Sequence, residues 1–235
     1  MSQDSDKAPA IRSSGSHAVD ALVEAARNSP VAVAVGRGRL IFALDATMSR
    51  QATWDLAQQL QARMFQVSAD LGGLEVQLVY FRGFSECRAS KFVSGGQGLA
   101  DLMSGIAVRS GTTQIVKVLR HALGEAKRAR LGALVFVGDA FEEGSEAAYA
   151  AAGELALAGV KAFLFQEGDD PKASRVFREI ARLTGGAYGA FDASAARRLE
   201  ALLRAAAAYA AGGRSALQAE AVGSEAARLL LQQMR

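Results

Sequence analysis

Short apolar runs alternate with longer stretches of helical periodicity from residue 39 to residue 211. Runs such as 40–44 and 134–137 are apolar without interruption, which is typical of strands buried on both faces of a sheet. Parallel strands need long crossover connections, and those connections are usually helices. The alternation therefore predicts an α/β fold of three layers, with helices on both faces of a doubly wound, mostly parallel sheet.

One strand is expected to run against the others. Residues 89–94 follow the strand predicted at 74–81 closely enough to pair antiparallel with it, at an edge of the sheet. The predicted strands are 39–45, 74–81, 89–94, 133–137, 160–166 and 187–191. The predicted helices are 53–69, 99–107, 113–129, 145–157, 173–183, 195–211 and 215–234.

The ends of the chain differ from this pattern. Residues 1–16 are polar and are predicted to form a disordered tail, and residues 17–38 to form a short amphipathic helix and a linker. Residues 39–211 make up the predicted α/β domain. The pair Gly212-Gly213 is expected to break the helix that precedes it, so residues 212–235 are predicted to be a C-terminal helical extension.

Composition excludes several classes of protein. The net charge is +3 with both signs mixed along the helices, and no basic cluster is interleaved with aromatic residues, so we expect no binding to nucleic acid. The single cysteine, Cys87, leaves no internal disulfide. The polar N-terminus lacks the apolar core of a signal peptide, and no window approaches the ~20 apolar residues that span a membrane. We therefore expect a cytoplasmic protein with no membrane association.

Oxygen-bearing side chains follow the first predicted strand. Asp45, Thr47 and Ser49 come at alternate positions where the apolar run ends. Open α/β sheets keep their sites outside the carboxyl ends of the strands. Carboxylate and hydroxyl oxygens are hard donors, which suit Mg²⁺ and suit zinc or copper poorly.

Two later segments can complete this site. Thr112 and Thr113 lie after Gly111 at the start of a predicted helix, and Asp139 follows a second buried strand. Each residue also has an ordinary structural explanation, because threonine caps helices and aspartate closes turns. Glu142 and Glu143, which follow Asp139, are expected to cap the next helix or to add negative potential.

The order Asp-x-Thr-x-Ser, Gly-x-Thr and strand-Gly-Asp resembles the metal-ion-dependent adhesion site (MIDAS) of von Willebrand factor A (vWA) domains, in particular of intracellular bacterial members. The resemblance covers residues 38–195, and Thr47 stands where the family usually has serine. It implies that Asp45, Thr47, Ser49, Thr113 and Asp139 hold Mg²⁺, or Mn²⁺ or Ca²⁺, with Asp139 often linked through water. Thr113 fits better than Thr112, since Ile115 follows it at the family's spacing.

The resemblance also implies a function. In the family, an acidic residue of a protein partner completes the coordination of the ion, and intracellular members often work beside AAA+ ATPases. We therefore expect a non-enzymatic protein-binding module, with an AAA+ system as a candidate partner.

Two other functions compete with this one. A vWA-like scaffold with a vestigial metal site would act through its helices. A metal-dependent phosphatase is the weaker alternative, because haloacid-dehalogenase-like enzymes need a second aspartate where this chain has Thr47. The sequence also lacks a Ser-His-Asp set in a suitable context and a nucleotide-binding Gly-x-x-x-x-Gly-Lys motif.

Overall fold

The computed structural model describes residues 37–47, 51–192 and 196–234. The predicted N-terminal tail, helix and linker lie outside these residues, except for positions 37 and 38. The described residues form one sheet of six strands in the order β3-β2-β1-β4-β5-β6. The strands are β1 (Gly38–Asp45), β2 (Leu74–Arg82), β3 (Glu86–Val93), β4 (Ala133–Gly138), β5 (Lys161–Glu167) and β6 (Ala187–Phe191).

Every neighbouring pair is parallel except β2 and β3, which are antiparallel at one edge. This confirms the predicted fold class. The helices are α1 (Gln51–Ser68), α2 (Gly96–Ser104), α3 (Ile115–Arg128), α4 (Ser145–Leu157), α5 (Pro171–Thr184), α6 (Ala196–Glu220) and α7 (Glu225–Gln233).

The helices cover both faces of the sheet. Successive side chains of a strand point to opposite faces, so Phe42 packs in a core with α1, α2, α6 and α7, whereas Ile41 packs in a core with α3, α4 and α5. Trp54 in α1 is 2% exposed and meets Tyr80 edge to face, so its role is packing. None of the helices in the described part of the chain is long and apolar enough to cross a membrane.

The C-terminal helices differ from the sequence prediction. Residues 215–234 were expected to form one helix, but α6 runs to Glu220, with Gly213 in a non-helical conformation, and α7 starts afresh at Glu225. The Ser224 hydroxyl accepts the N–H of Ala227 at 3.2 Å and so caps α7. The prediction of a single helix was wrong, because this capping serine after Gly223 starts a new helix. The domain boundary at residue 212 stays a prediction.

Helix α7 covers the open edge of β6. The side-chain amide of Gln233 accepts the Tyr188 N–H at 3.0 Å and donates to the Tyr188 carbonyl at 2.8 Å, as a neighbouring strand would. Unpaired groups on an edge strand are a template for association with another chain. Gln233 therefore satisfies the backbone of the edge strand at this position and also fastens α7 to the sheet.

Replacing Gln233 with alanine is expected to lower the free energy of unfolding by about 1 kcal/mol, the usual contribution of such hydrogen bonds. Urea denaturation followed by circular dichroism measures the change. Gln232→Ala is the matched control, because Gln232 is exposed on the same helix. Equal stability of the two variants would show that the Gln233 contacts contribute nothing.

Candidate metal centre

The candidate centre lies where the connections of the sheet diverge. From β1 the chain passes to β2 on one side, and β4 pairs with β1 on the other side. Asp45 ends β1 and Asp139 follows β4, and the two strands are in register through the pair Leu44 and Val137. The two carboxylates therefore belong to chain segments that leave the sheet side by side. Such a switch point is where open α/β sheets bind ligands.

Asp45 and Thr47 are brought together by a tight turn. Asp45 is 2% exposed and Thr47 is 6% exposed. The N–H of Thr47 donates to Oδ1 of Asp45 at 2.8 Å. This is the turn that aspartate makes with the backbone two residues on, so the bond accounts for the position of Asp45 without a metal and also orients its carboxylate. Ser49 lies outside the described residues.

Thr113 is tied to the segment that follows β4. Its N–H donates to Oε2 of Glu142 at 2.8 Å, and its hydroxyl oxygen accepts the N–H of Glu142 at 3.0 Å. Thr113 is only 3% exposed. The structure thus joins the segment with Thr113 directly to the segment with the partly exposed Asp139.

Glu143 caps a helix other than the one expected. Glu143 accepts the N–H groups of Ile115, in a short hydrogen bond, and of Val116 at 3.2 Å, so it caps α3. Helix α4, which follows Glu143 in the chain, has Gly144 at its N-cap and no side-chain cap. The expectation that Glu142 and Glu143 cap the next helix was therefore wrong, and the alternative that they add negative potential stays a prediction. Burial raises the pKa of the Glu143 carboxyl above its ordinary value.

The threonines do not cap α3 either. The N-cap residue is Gln114, which makes no side-chain capping bond, and Glu143 takes the first backbone donors instead. The interpretation of Thr112 or Thr113 as the N-cap was therefore wrong. For Thr113 this removes helix capping as an explanation, and its buried hydroxyl instead accepts the N–H of Glu142.

The loop before α3 is a third segment that lies against the candidate centre. The N–H of Arg109 donates to the carbonyl of Ala46 at 3.0 Å, and the N–H of Thr112 donates to the carbonyl of Gly83 at 3.1 Å. A Cβ atom on Gly111 would lie 2.3 Å from backbone atoms of Gly83, so a side chain does not fit there. The loop before α3 is thus held against both the exit of β1 and the turn after β2.

Sequence reasoning missed another carboxylate at this edge of the sheet. Glu167 ends β5 next to β4, is 7% exposed, and accepts a short hydrogen bond from the hydroxyl of buried Thr53 in α1. The bond fastens the first turn of α1, which follows the loop of Asp45, to the sheet. The signal that pointed to Asp45, a carboxylate directly after a buried apolar run, is weaker here, because Gln166 separates Glu167 from the apolar run.

The donor set fits a hard divalent cation. Asp45, Thr47, Thr113 and Asp139 offer carboxylate and hydroxyl oxygens, and three of the four are nearly inaccessible to bulk solvent. In the part of the chain that the structure describes, no three His, Cys, Asp or Glu side chains cluster as metal ligands. A cation here would depend on hydroxyl oxygens, which suits Mg²⁺ better than zinc.

Two titratable side chains outside the candidate centre, those of His121 and Cys87, have ordinary surroundings. Nε2 of His121 lies 2.8 Å from Oε1 of Gln77, and burial lowers the pKa of this imidazole. Burial raises the pKa of the Cys87 thiol, which disfavours the reactive thiolate. Neither residue points to a second metal or catalytic centre.

Known structures share this architecture. A von Willebrand factor type A protein from Catenulispora acidiphila superposes with a TM-score of 0.60 at 15% identity, over 74% of this chain and 43% of that one. The chain has a vWA-type fold. The vWA domain of SpRpn10 matches with a TM-score of 0.55 at 12% identity, over 75% of this chain and 97% of that domain.

A third vWA-like structure contains a metal. Proximal thread matrix protein 1 from the mussel byssus, solved with a zinc-occupied MIDAS motif, has a TM-score of 0.55 at 15% identity, over 73% of this chain and 46% of that one. No family model matches the sequence, and no curated protein matches it. At these identities the likeness concerns the fold alone. The Catenulispora and mussel proteins are also longer than the region that this chain matches, since less than half of each is covered.

Proposed function

We propose that this vWA-type chain is a non-enzymatic module that binds a protein partner through a divalent cation, with Mg²⁺ as the ion. Asp45, Thr47, Ser49 and Thr113 would hold the ion, and Asp139 would contact it directly or through water. The observation that carries the proposal is the burial of Asp45, Thr47 and Thr113 around the switch point of a vWA-type sheet.

The chemistry of the donors supports this mode of binding. Hydroxyl oxygens are neutral, so a cation held by them and by few carboxylates keeps most of its positive charge. Mg²⁺ demands octahedral coordination and keeps positions for other ligands. An aspartate or glutamate of the partner would fill one such position, and this charge-assisted contact would set the register of the interface.

Two details of the proposal depend on the resemblance to intracellular vWA proteins. These are the cytoplasmic location and an AAA+ ATPase system as the partner. The zinc in the mussel protein supports a cation at this place in the fold, whereas the choice of Mg²⁺ rests on the oxygen donors of this chain.

A scaffold with a vestigial site is the alternative. The hydrogen bonds of Asp45 to Thr47 and of Thr113 to Glu142 favour it, because they give both residues a structural role without a metal. In that case the helices would carry the interaction, and the cation would have no effect on the partner.

Calorimetric titration of Mg²⁺ and Mn²⁺ into the EDTA-treated chain tests the proposal. We expect saturable binding to a single site that is lost in Asp45→Ala, because that substitution removes the buried carboxylate of the centre. Asp101→Ala is the control, since Asp101 is exposed on α2 and its Oδ1 accepts only a local hydrogen bond from Gln97. Absence of saturable binding to the wild-type chain, or unchanged binding to Asp45→Ala, would favour the scaffold.

A further inference from the structure

The turn between β2 and β3 presents an aromatic ring to solvent. Phe84 is 85% exposed, and among the described residues only Leu157 and Val222 are large hydrophobic side chains of similar exposure. Strand β2 runs parallel to β1 with Phe81 opposite Asp45, so this turn leaves the sheet at the same edge as the candidate metal centre. Aromatic residues, phenylalanine among them, are enriched in the cores of protein interfaces relative to the rest of the protein surface.

Side chains at the start of α3 hold the backbone of this turn through hydrogen bonds. The two N–H groups of the Gln114 side-chain amide are shared among the carbonyls of Arg82, Gly83 and Glu86, at N···O distances of 3.3, 3.4 and 3.2 Å. The ammonium group of Lys117 donates to the carbonyl of Ser85 at 2.8 Å. Since the carbonyls on both sides of Phe84 are held in place, the turn cannot fold over to bury the ring without losing these bonds.

The same segment supports the turn and the metal centre. Gln114 is 4% exposed and directly follows Thr113. The N–H of Thr113 donates to the Glu142 carboxylate, and the Thr113 hydroxyl oxygen accepts the Glu142 N–H. The Thr112 N–H bonds the carbonyl of Gly83 on the other side. Phe84 and the centre therefore belong to one connected unit, and a rigid anchor loses less conformational entropy when a partner binds.

With the proposed cation offsetting the carboxylates of Asp45 and Asp139, the exposed basic side chains around the turn favour an acidic partner. Arg88, Arg109 and Lys117 are exposed on the segments that border the turn or the centre. Both carboxylate oxygens of Glu86 are engaged by Arg82, at 2.9 and 3.0 Å, and one of them also by Arg88 at 2.9 Å. Basic side chains beside a bound cation attract carboxylates and repel basic surfaces.

We propose that Phe84 is the apolar anchor of the partner-binding surface. The partner is an acidic protein segment that places one carboxylate on the cation and a large apolar side chain against the Phe84 ring. This inference rests on the proposed function for the cation contact. The assignment of Phe84 as an anchor rests on its exposed ring and on the hydrogen bonds that hold its turn.

Random linear peptides displayed on phage provide the probe. They are selected on the full chain in Mg²⁺, and the enriched peptides are synthesised and titrated by fluorescence anisotropy. We expect acidic peptides with an apolar residue, whose Kd for Phe84→Ala is raised at least about tenfold, equivalent to about 1.4 kcal/mol. Leu157→Ala is the matched control, because Leu157 is 91% exposed at the end of α4, away from the centre, and should bind like wild type.

The outcomes separate this inference from the proposed function. Peptides that need Mg²⁺ but bind Phe84→Ala as tightly as wild type would overturn the anchor and leave the metal-dependent module standing. Peptides that bind equally in EDTA but are lost in Phe84→Ala would support the anchor and contradict the metal-dependent contact. A selection that enriches no peptide sensitive to Phe84→Ala overturns the anchor. Phe84→Ala should keep the Mg²⁺ affinity of wild type by calorimetry, which shows that the centre is intact.

Discussion

Replacing Gly111 with alanine is expected to lower the free energy of unfolding by about 3 kcal/mol, the upper end for an inserted methyl group. The new Cβ would lie 2.3 Å from the backbone nitrogen and oxygen of Gly83, and a backbone cannot rotate away as a side chain can. The loop before α3 and the turn after β2 must therefore separate. This also breaks the bond from the Thr112 N–H to the Gly83 carbonyl.

Urea denaturation of Gly111→Ala measures this loss. The matched control is Gly124→Ala in the middle of α3, where a Cβ meets nothing within 4 Å. There the substitution should stabilise the chain by about 0.5–1 kcal/mol, because alanine favours the helix. If Gly111→Ala unfolded at the wild-type urea concentration, the close approach of the two loops would not exist in solution.

Magnesium is expected to stabilise the wild-type chain and to leave Asp45→Ala unchanged. A ligand that binds only the folded state at a hundred times its Kd adds about 2.7 kcal/mol to the free energy of unfolding. Each variant is compared with itself in EDTA and in saturating Mg²⁺, so its own effect on folding cancels. Thr113→Val should also show no increase in the free energy of unfolding with Mg²⁺, since it keeps the shape of the side chain but removes the hydroxyl oxygen.

Asp101→Ala should gain as much stability from Mg²⁺ as wild type. An equal gain in Asp45→Ala would place the cation elsewhere on the chain, and no gain in wild type would favour the scaffold. Thr113→Val should in addition lose about 1 kcal/mol in EDTA, because the N–H of Glu142 loses the acceptor that it has at 3.0 Å. The metal effect and the structural effect of Thr113 are thereby measured separately.

The start of α3 is held by hydrogen bonds to two other segments of the chain. Glu142 and Glu143 bind the start of α3 to the end of β4, and Gln114 binds it to the turn that carries Phe84. The start of α3 is therefore shared by the candidate metal centre and the candidate anchor.

Periodicity in the sequence was sufficient for the sheet and most helices. The uninterrupted apolar run at 40–44 became a strand buried on both faces. The helix predicted at 173–183 became α5, which ends at Thr184 before Gly185 in the left-handed conformation. The parallel arrangement then required the carboxyl ends of β1 and β4 to meet at one edge. The location of Asp45 and Asp139 was therefore predictable, because strand direction follows from the crossover helices.

Local signals were less reliable at helix ends. The threonines before α3 were predicted to be caps. The N–H of Ile115 is instead accepted by Glu143, which lies 28 residues after Ile115. Ser224 caps α7 although it lies within a continuous helical pattern of residues, which predicted one helix across this position. The residue that caps a helix is the acceptor that lies at the helix end in the folded chain. An acceptor that is distant in sequence cannot be recognised from the residues next to the helix.

The sequence by itself determined the order of strands and helices along the chain, the layers and the edge of the sheet at which the oxygen donors lie. These follow from the uninterrupted apolar runs of the strands and from the 3.6-residue period of the helices between them. Only the tertiary structure decided which loops meet at that edge. The bond between Thr113 and Glu142 spans 29 positions, and that between Thr53 and Glu167 spans 114. Such contacts arise when separate elements pack on a common sheet, and no local pattern of residues records them.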